Sequence, residues 1–308
     1  LHRIYVSTLK RAHRDETDET TGRLWILDWE SRQVEMSRSF PVSKQTPGTG
    51  HSFGLRGITW WEGALVVART DENIMFLDPD SLSQRCVWES PAEINHIHQL
   101  KTHNDVLWIV STANNRLYGW KNGGIVATTK LSTARRWLDP HVPNVTHIRS
   151  RTWGADRAHF NSVAWHPRTG DEYHCYANLS MIFNWTQQQP VWIGAPLGMP
   201  HDIVFLPDGR FVVNSSAYRT AYVFEPTGNA VQPRLILELP GAEFDGWSMP
   251  GWLRGGGYSE ATDTLVLTAT PGTLHAFRGR TLEPLGSLEF SQDPTESPYD
   301  LVLDPRDW

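Results

Sequence analysis

The chain has 308 residues, 39% of them hydrophobic and 20% charged, with a formal net charge of −6 at pH 7. That hydrophobic share supports a real core. The acidic balance argues against a nucleic-acid partner, which selects a basic face, and no run approaches the roughly 18 apolar residues that span a bilayer. Leu1 leads straight into HRIYVSTL, a strand pattern rather than a charged and apolar leader, and this reads as a cytoplasmic protein. The two cysteines, Cys86 and Cys175, lie in strand-like runs, so buried free thiols are expected.

Taken in chain order, the elements are short runs of β-branched and aromatic residues cut by Gly, Pro, Asn and Asp. The first three are RIYVSTL, RLWILDW and QVEMSRSF, with an acidic turn, RDETDET, between the first two. A repeating unit then sets in: LRGITWWEGALVVART from Leu55, IHQLKTHNDVLWIVST from Ile97, FNSVAWHPRTGDEYHCYAN from Phe160, PHDIVFLPDGRFVVNSS from Pro200 and WLRGGGYSEATDTLVLTAT from Trp252. Each reads as strand, polar turn, strand, and each is followed by two more strands. A sixth copy, PYDLVLDPRDW from Pro298, stops after one strand. Four strands every ~40–60 residues is the pattern of a β-propeller. The three N-terminal strands supply what the sixth copy lacks. The expectation is an all-β, six-bladed propeller in one domain, residues 1–308, with four-stranded antiparallel blades. Its last blade would join residues 2–41 to 298–308, so that no strand edge stays open.

In such a ring the inner strands begin near the axis, and their first residues line the tunnel. Aligned on this basis they are Arg56, Ile97, Asn161, His201, Arg254 and Tyr299. Gly57, His98, Ser162, Asp202 and Asp300 come one step later, and His51, His96 and His159 come just before. Five of the 13 histidines thus gather at inner-strand starts. Imidazoles converging from several blades suit Zn, Fe or Cu, with Mn also considered. The candidate metal ligands are His98, His159, His201, Asn161 and His51. His96, Arg56, Tyr299 and Asp202 are the candidate catalytic groups, Asp202 as an orienter of a ligating imidazole. Without a metal, the same side chains make a polar pocket for an organic anion, in which a neutral imidazole acts as a base. The segment from Leu131 to Ala158 carries Arg135, Arg136, Arg149, Arg151 and Arg157 and would favour an anionic group if it folded over the tunnel mouth.

The fragment NSVAWHP from Asn161 resembles the inner strand of the gluconolactonase, regucalcin and strictosidine-synthase group of six-bladed propellers, which carries a metal-binding Asn. IHQL, LWIVSTANNRLYGW and HFNSVAW are also similar to an uncharacterised bacterial propeller family. The first resemblance implies a calcium site built from Glu, Asn and Asp. Here the positions matching the two acids hold Arg56 and His201, and calcium takes oxygen donors, so the resemblance implies the scaffold and a lactonase- or esterase-like chemistry better than it implies calcium. The resulting expectation is a small-molecule enzyme, a metal-dependent hydrolase or redox enzyme acting on a substrate with an anionic group. The opposing reading is a non-catalytic propeller that binds an anionic ligand or a protein on its loop face.

Overall fold

The structure is a computed structural model that describes residues 3–11, 21–42, 52–70, 73–130, 158–227, 230–239 and 251–307. It is all-β and propeller-like, built of antiparallel four-stranded units. The only helices among the described residues are single 3₁₀ turns at Ser216–Tyr218 and Pro305–Asp307, and no helix there is long and apolar enough to cross a membrane. Strands β1 (Arg3–Arg11), β2 (Thr21–Asp28) and β3 (Gln33–Pro41) are followed by β4 (Ser52–Trp61), β5 (Ala64–Arg69), β6 (Asn73–Leu77) and β7 (Gln84–Glu89). Three more quartets follow in which each strand pairs its predecessor. They are β8 (Ile97–His103), β9 (Val106–Ser111), β10 (Arg116–Lys121) and β11 (Gly124–Lys130); β12 (Phe160–Trp165), β13 (Glu172–Tyr176), β14 (Met181–Asn184) and β15 (Gln189–Ile193); and β16 (Pro200–Phe205), β17 (Phe211–Ser215), β18 (Thr220–Thr227) and β19 (Ala230–Glu238). The last quartet is β20 (Leu253–Ser259), β21 (Thr264–Ala269), β22 (Thr273–Arg278) and β23 (Pro284–Glu289), and the chain returns in β24 (Glu296–Leu303).

Strand β24 pairs β1 from Ile4↔Leu303 to Lys10↔Glu296, while β4 touches only the far end of β1, from Leu9↔Gly54 to Arg11↔Ser52. Buried Glu296 ties this junction. Its carboxylate accepts from the Thr8 hydroxyl (2.7 Å), the Trp25 indole (3.0 Å) and the Ser291 hydroxyl (2.7 Å). At the other end of β24, Arg306 bonds Asp304 (2.6 Å) and Asp80 (3.1 Å), and Asp80 also holds Arg3 (2.7 Å).

The apolar side chains gather in six clusters, each shared by two quartets. One joins Ile4, Val6, Trp25 and Leu27 to Val266, Leu274, Leu288, Leu301 and Leu303, and another joins Phe76, Ala68 and Val66 to Ile97, Leu107 and Ile109. Trp25, Trp29 and Trp61 are buried in these seams, which accounts for part of the high tryptophan content. The innermost strands pack on one another in the order β4, β8, β12, β16, β20, β24 and back to β4. Cys175 is buried in such a seam, but Cys86 is exposed and free, contrary to the expectation of two buried thiols. It sits on β7, the outermost strand of its quartet, whose first three residues are all exposed.

Every innermost strand carries a register shift near its start: between Leu55 and Ile58, Ile97 and Gln99, Phe160 and Ser162, His201 and Ile203, Leu253 and Gly256, and in β24 opposite Ser7 and Thr8. These are β-bulges, which re-aim a side chain. Arg56, His98, Asn161, His201, Arg254 and Tyr299 occupy equivalent places in them. The next position alternates around the axis between small and long side chains: Gly57, Gln99, Ser162, Asp202, Gly255, Asp300. Each long one reaches the following strand. Gln99 Oε1 accepts from Val163 N (2.9 Å), Asp202 Oδ2 from Gly256 N (2.9 Å) and Asp300 Oδ2 from Ile58 N (3.2 Å). At the small positions the strands approach too closely for more: a Cβ on Gly57 would stand 2.5 Å from Leu100 N, and one on Gly255 would stand 2.7 Å from Asp300 Cα.

Two outcomes are expected. Glu296→Ala leaves three donors without their acceptor and lowers stability by about 3 kcal/mol; an unchanged denaturation midpoint would show the knot to be dispensable. Asp300 is raised to about 7 by burial, with Asp202 adding to the rise and Lys101 opposing it. Its folded value lies above the unfolded one near 3.8, so this group favours the fold below about pH 4 and that contribution is lost as pH rises through 7. Asp300→Asn is therefore expected to gain stability relative to the parent between pH 5 and pH 8, measured by chemical denaturation; parallel profiles would contradict it.

Candidate functional site

The six bulged residues converge at the axis because the bulge turns them out of the strand's alternation. Two adjoining cavities result. The upper one, about 140 Å³, is lined by Leu9, Arg56, His96, His98, His159, Arg254 and Tyr299. The lower one, about 20 Å³, lies among His98, Asn161, His201, Arg254 and Tyr299, with Gln99, Ser162, Asp202 and Asp300 beneath. His98, Arg254 and Tyr299 wall both.

The alignment drawn from sequence slips by one residue in β8. His98, not Ile97, stands level with Arg56, Asn161 and His201, while Ile97 is buried in an apolar seam. The pattern that finds the right register is a four-residue one: an apolar residue, the axial residue, a small or polar residue, and another apolar or small residue. It reads LRGI, IHQL, FNSV, PHDI, LRGG and PYDL. His96 and His159 lie two residues ahead of their bulges in the left-handed region, with φ of 53° and 54°, as does Met199 with φ of 49°. Such backbone is uncommon for non-glycine residues, with His among the types that adopt it most readily. It turns the imidazoles of His96 and His159 back over the axis, so His96 reaches the pocket from outside β8 rather than along it.

The rings form one cluster. Centroids are 4.7 Å apart for His96 and His98, 4.9 Å for His98 and His159, and 5.8 Å for His96 and His159. His98 and His201 are nearly parallel at 6.3 Å, and Tyr299 meets His98 at 5.7 Å. The Arg254 guanidinium lies 4.4 Å over the Tyr299 ring and 4.8 Å over Trp252.

Hydrogen bonding divides the axial residues by task. In four units the carbonyl one step before the bulge accepts from a side chain of the preceding quartet. Arg56 gives one to Ile97 O (3.2 Å) and Asn161 to Pro200 O (3.0 Å). At the next carbonyls the donor is instead a hydroxyl beyond the second strand: Thr112 bonds Phe160 O (2.6 Å) and Ser216 bonds Leu253 O. In these two units the hydroxyl, rather than the axial imidazole, holds the carbonyl. The His98 Nδ1 is buried without a hydrogen bond, as are Asn161 Oδ1 and Arg254 Nε. His201 Nδ1 faces Met199 O and the Ser216 hydroxyl, both at 2.8 Å.

Burial pushes His96 and His98 well below the ordinary imidazole value, and Arg56, Arg254 and the neighbouring imidazoles push the same way. Both are neutral at pH 7. Burial raises the Tyr299 phenol, against the pull of Arg254 and Arg56. Burial also lowers Arg254, with Arg56 adding to the effect. No carboxylate pairs with Arg254 among the described residues; Asp202 is bound to Gln99, Ile203 N and Gly256 N rather than to an imidazole. Calcium does not suit this donor set, which is mostly nitrogen. No three His, Cys, Asp or Glu among the described residues converge as a ligand set. His51 and the basic segment 131–157 lie outside the described residues.

A larger cavity, about 510 Å³, opens among Trp60, Trp61, Asp105, Lys121 and Arg306, on turns at the far ends of the strands. It gathers no buried imidazole or phenol, so the chemistry concentrates at the axis.

No family model matches the chain, and no curated protein does. Its fold is similar to many solved structures. One is a chain in the crystal structure of a nidogen/laminin complex, with a TM-score of 0.60, 10% identity, and coverage of 96% of this chain and 97% of that one. Another is virginiamycin B lyase from Staphylococcus aureus, with a TM-score of 0.51, 14% identity, and coverage of 80% and 73%. At these identities the likeness is one of propeller-type fold.

Proposed function

We propose that the chain is a six-bladed propeller closed by β24 and that its axial pocket binds a small organic anion. Three features support the closure: the β24–β1 pairing, the six apolar seams, and the unbroken cycle of inner-strand contacts. The observation that carries the site is Arg254. A half-buried guanidinium, its Nε wholly enclosed and with no carboxylate partner among the described residues, is electrostatically uncompensated, and it stands beside Arg56 and neutral imidazoles. An anion supplies the missing charge. Arg254 and Arg56 hold the anionic group, Tyr299 orients it, and a neutral His98 or His96 is available to take a proton from water or from the ligand. The reaction that suits this set is hydrolysis of an ester or lactone bearing a carboxylate.

A second reading has a transition metal drawing together His96, His98 and His159, whose rings lie 4.7 to 5.8 Å apart but do not converge as a ligand set in this arrangement. His201 and Asn161 would then flank it.

Arg254→Met is expected to raise the melting temperature of the free protein by removing an uncompensated charge, while weakening binding of small mono- and dicarboxylates at least tenfold in calorimetry. Lower stability with unchanged affinity would overturn the anion site. His98→Ala is expected to abolish turnover of carboxylated lactones in a pH-stat. Stoichiometric Zn, Fe, Cu or Mn in the purified protein, lost in that variant, would favour the metal reading instead. Deleting residues 298–308 removes most of an inner strand and is expected to abolish cooperative folding; a truncated chain that melts like the parent would refute the closed ring.

A further inference from the structure

Beneath the imidazoles, the axis holds a second charged group that the anion pocket does not use. Asp202 and Asp300 are 4% and 3% exposed and project from β16 and β24. Lys101 enters from β8, three residues after His98, and its ammonium stands 3.5 Å from Asp202 Oδ1. These are the three alternate strands whose long side chains staple their neighbours; the other three present Gly57, Ser162 and Gly255 at that level and leave the axis open. On β8 the stapling position is the uncharged Gln99, whose amide donates to Asp202 Oδ1 (2.8 Å). The layer therefore has two carboxylates from two strands and one cation from the third.

We infer that Lys101 is a tethered counter-cation, occupying the place that a free cation would take between Asp202 and Asp300, and that removing its ammonium converts this layer into a cation-binding site. Both carboxylates are held by backbone N–H groups: Asp202 by Ile203 and Gly256, Asp300 by Ile58 and Leu301. These bonds restrain them from turning away when the positive charge is withdrawn. Oxygen donors fixed around a vacated axial position are what a hard divalent ion takes. Consistent with the pairing, burial works against the Lys101 ammonium but Asp202 and Asp300 outweigh it and hold its proton more tightly than usual. The inference is independent of what the upper pocket binds.

The test uses the full chain with Lys101→Met, which keeps the apolar stem and deletes the charge. Thermal unfolding at pH 8 is expected to drop by about 5 °C or more. CaCl₂ or MgCl₂ at about 10 mM is expected to restore at least half of that loss relative to NaCl of equal ionic strength, with no comparable gain in the parent. The double variant Lys101→Met/Asp300→Asn is expected to recover without any divalent ion. A Lys101→Met protein that melts like the parent would overturn the inference, as would a loss that neither the ions nor the second substitution repairs. Recovery in the double variant alone would overturn the cation site. If the single variant does not fold, a folded double variant supports the inference and an unfolded one refutes it.

Discussion

The structure depends on the bulge at the start of each innermost strand. A regular strand sends alternate side chains to its two faces, which would aim axial residues into the seams between quartets. The inserted residue breaks that alternation once per unit and points one side chain at the axis. In four units the carbonyl just ahead of it takes a side-chain donor from the preceding unit. The polar network around the axis supplies these donors, through Arg56 and Asn161 in two units and through Thr112 and Ser216 in two others. The positions of the functional groups and the cohesion of neighbouring units therefore come from one backbone irregularity.

Crowding sets the next level. Six strands meeting at one axis leave space for three long side chains, and Gln99, Asp202 and Asp300 alternate with Gly57, Ser162 and Gly255. The carboxylates are better read as braces between strands than as ligands for a metal above them. The charges fall into layers, with guanidiniums and neutral imidazoles above and two carboxylates with one ammonium below. An organic anion entering from above would meet the positive layer first and would be separated from the acids by the imidazoles.

Much of this was legible in the sequence. The repeat appears as a recurring strand–turn–strand pattern, and the partial sixth copy pointed to the pairing of β24 with β1. Of the histidines gathered at inner-strand starts, His96, His98, His159 and His201 line the two cavities. The register of β8 was not legible from strand alternation, because the bulge cancels alternation where it matters; the apolar residues Ile97 and Leu100, which bracket His98 and Gln99, carry the signal instead. Cys86 was misjudged because a strand-like run does not reveal whether the strand is inner or outer. The alternation of Gln99, Asp202 and Asp300 with small residues was visible as letters, but its meaning required knowing that the three long ones reach the next strand.

The hydroxyls of Thr112 and Ser216 hold the carbonyls of Phe160 and Leu253, a task that falls to Arg56 and Asn161 in two other units. Where the matching side chain is Ala177, which has no hydroxyl, Asn161 bonds the carbonyl itself. The hydroxyl alone does not decide the matter, because the matching Thr70 accepts from Gly54 N while Arg56 still holds Ile97 O. An axial side chain can therefore hold the scaffold in one unit, as Arg56 and Asn161 do, and leave a ring nitrogen unbonded in the next, as His98 does, so its identity alone does not fix its role.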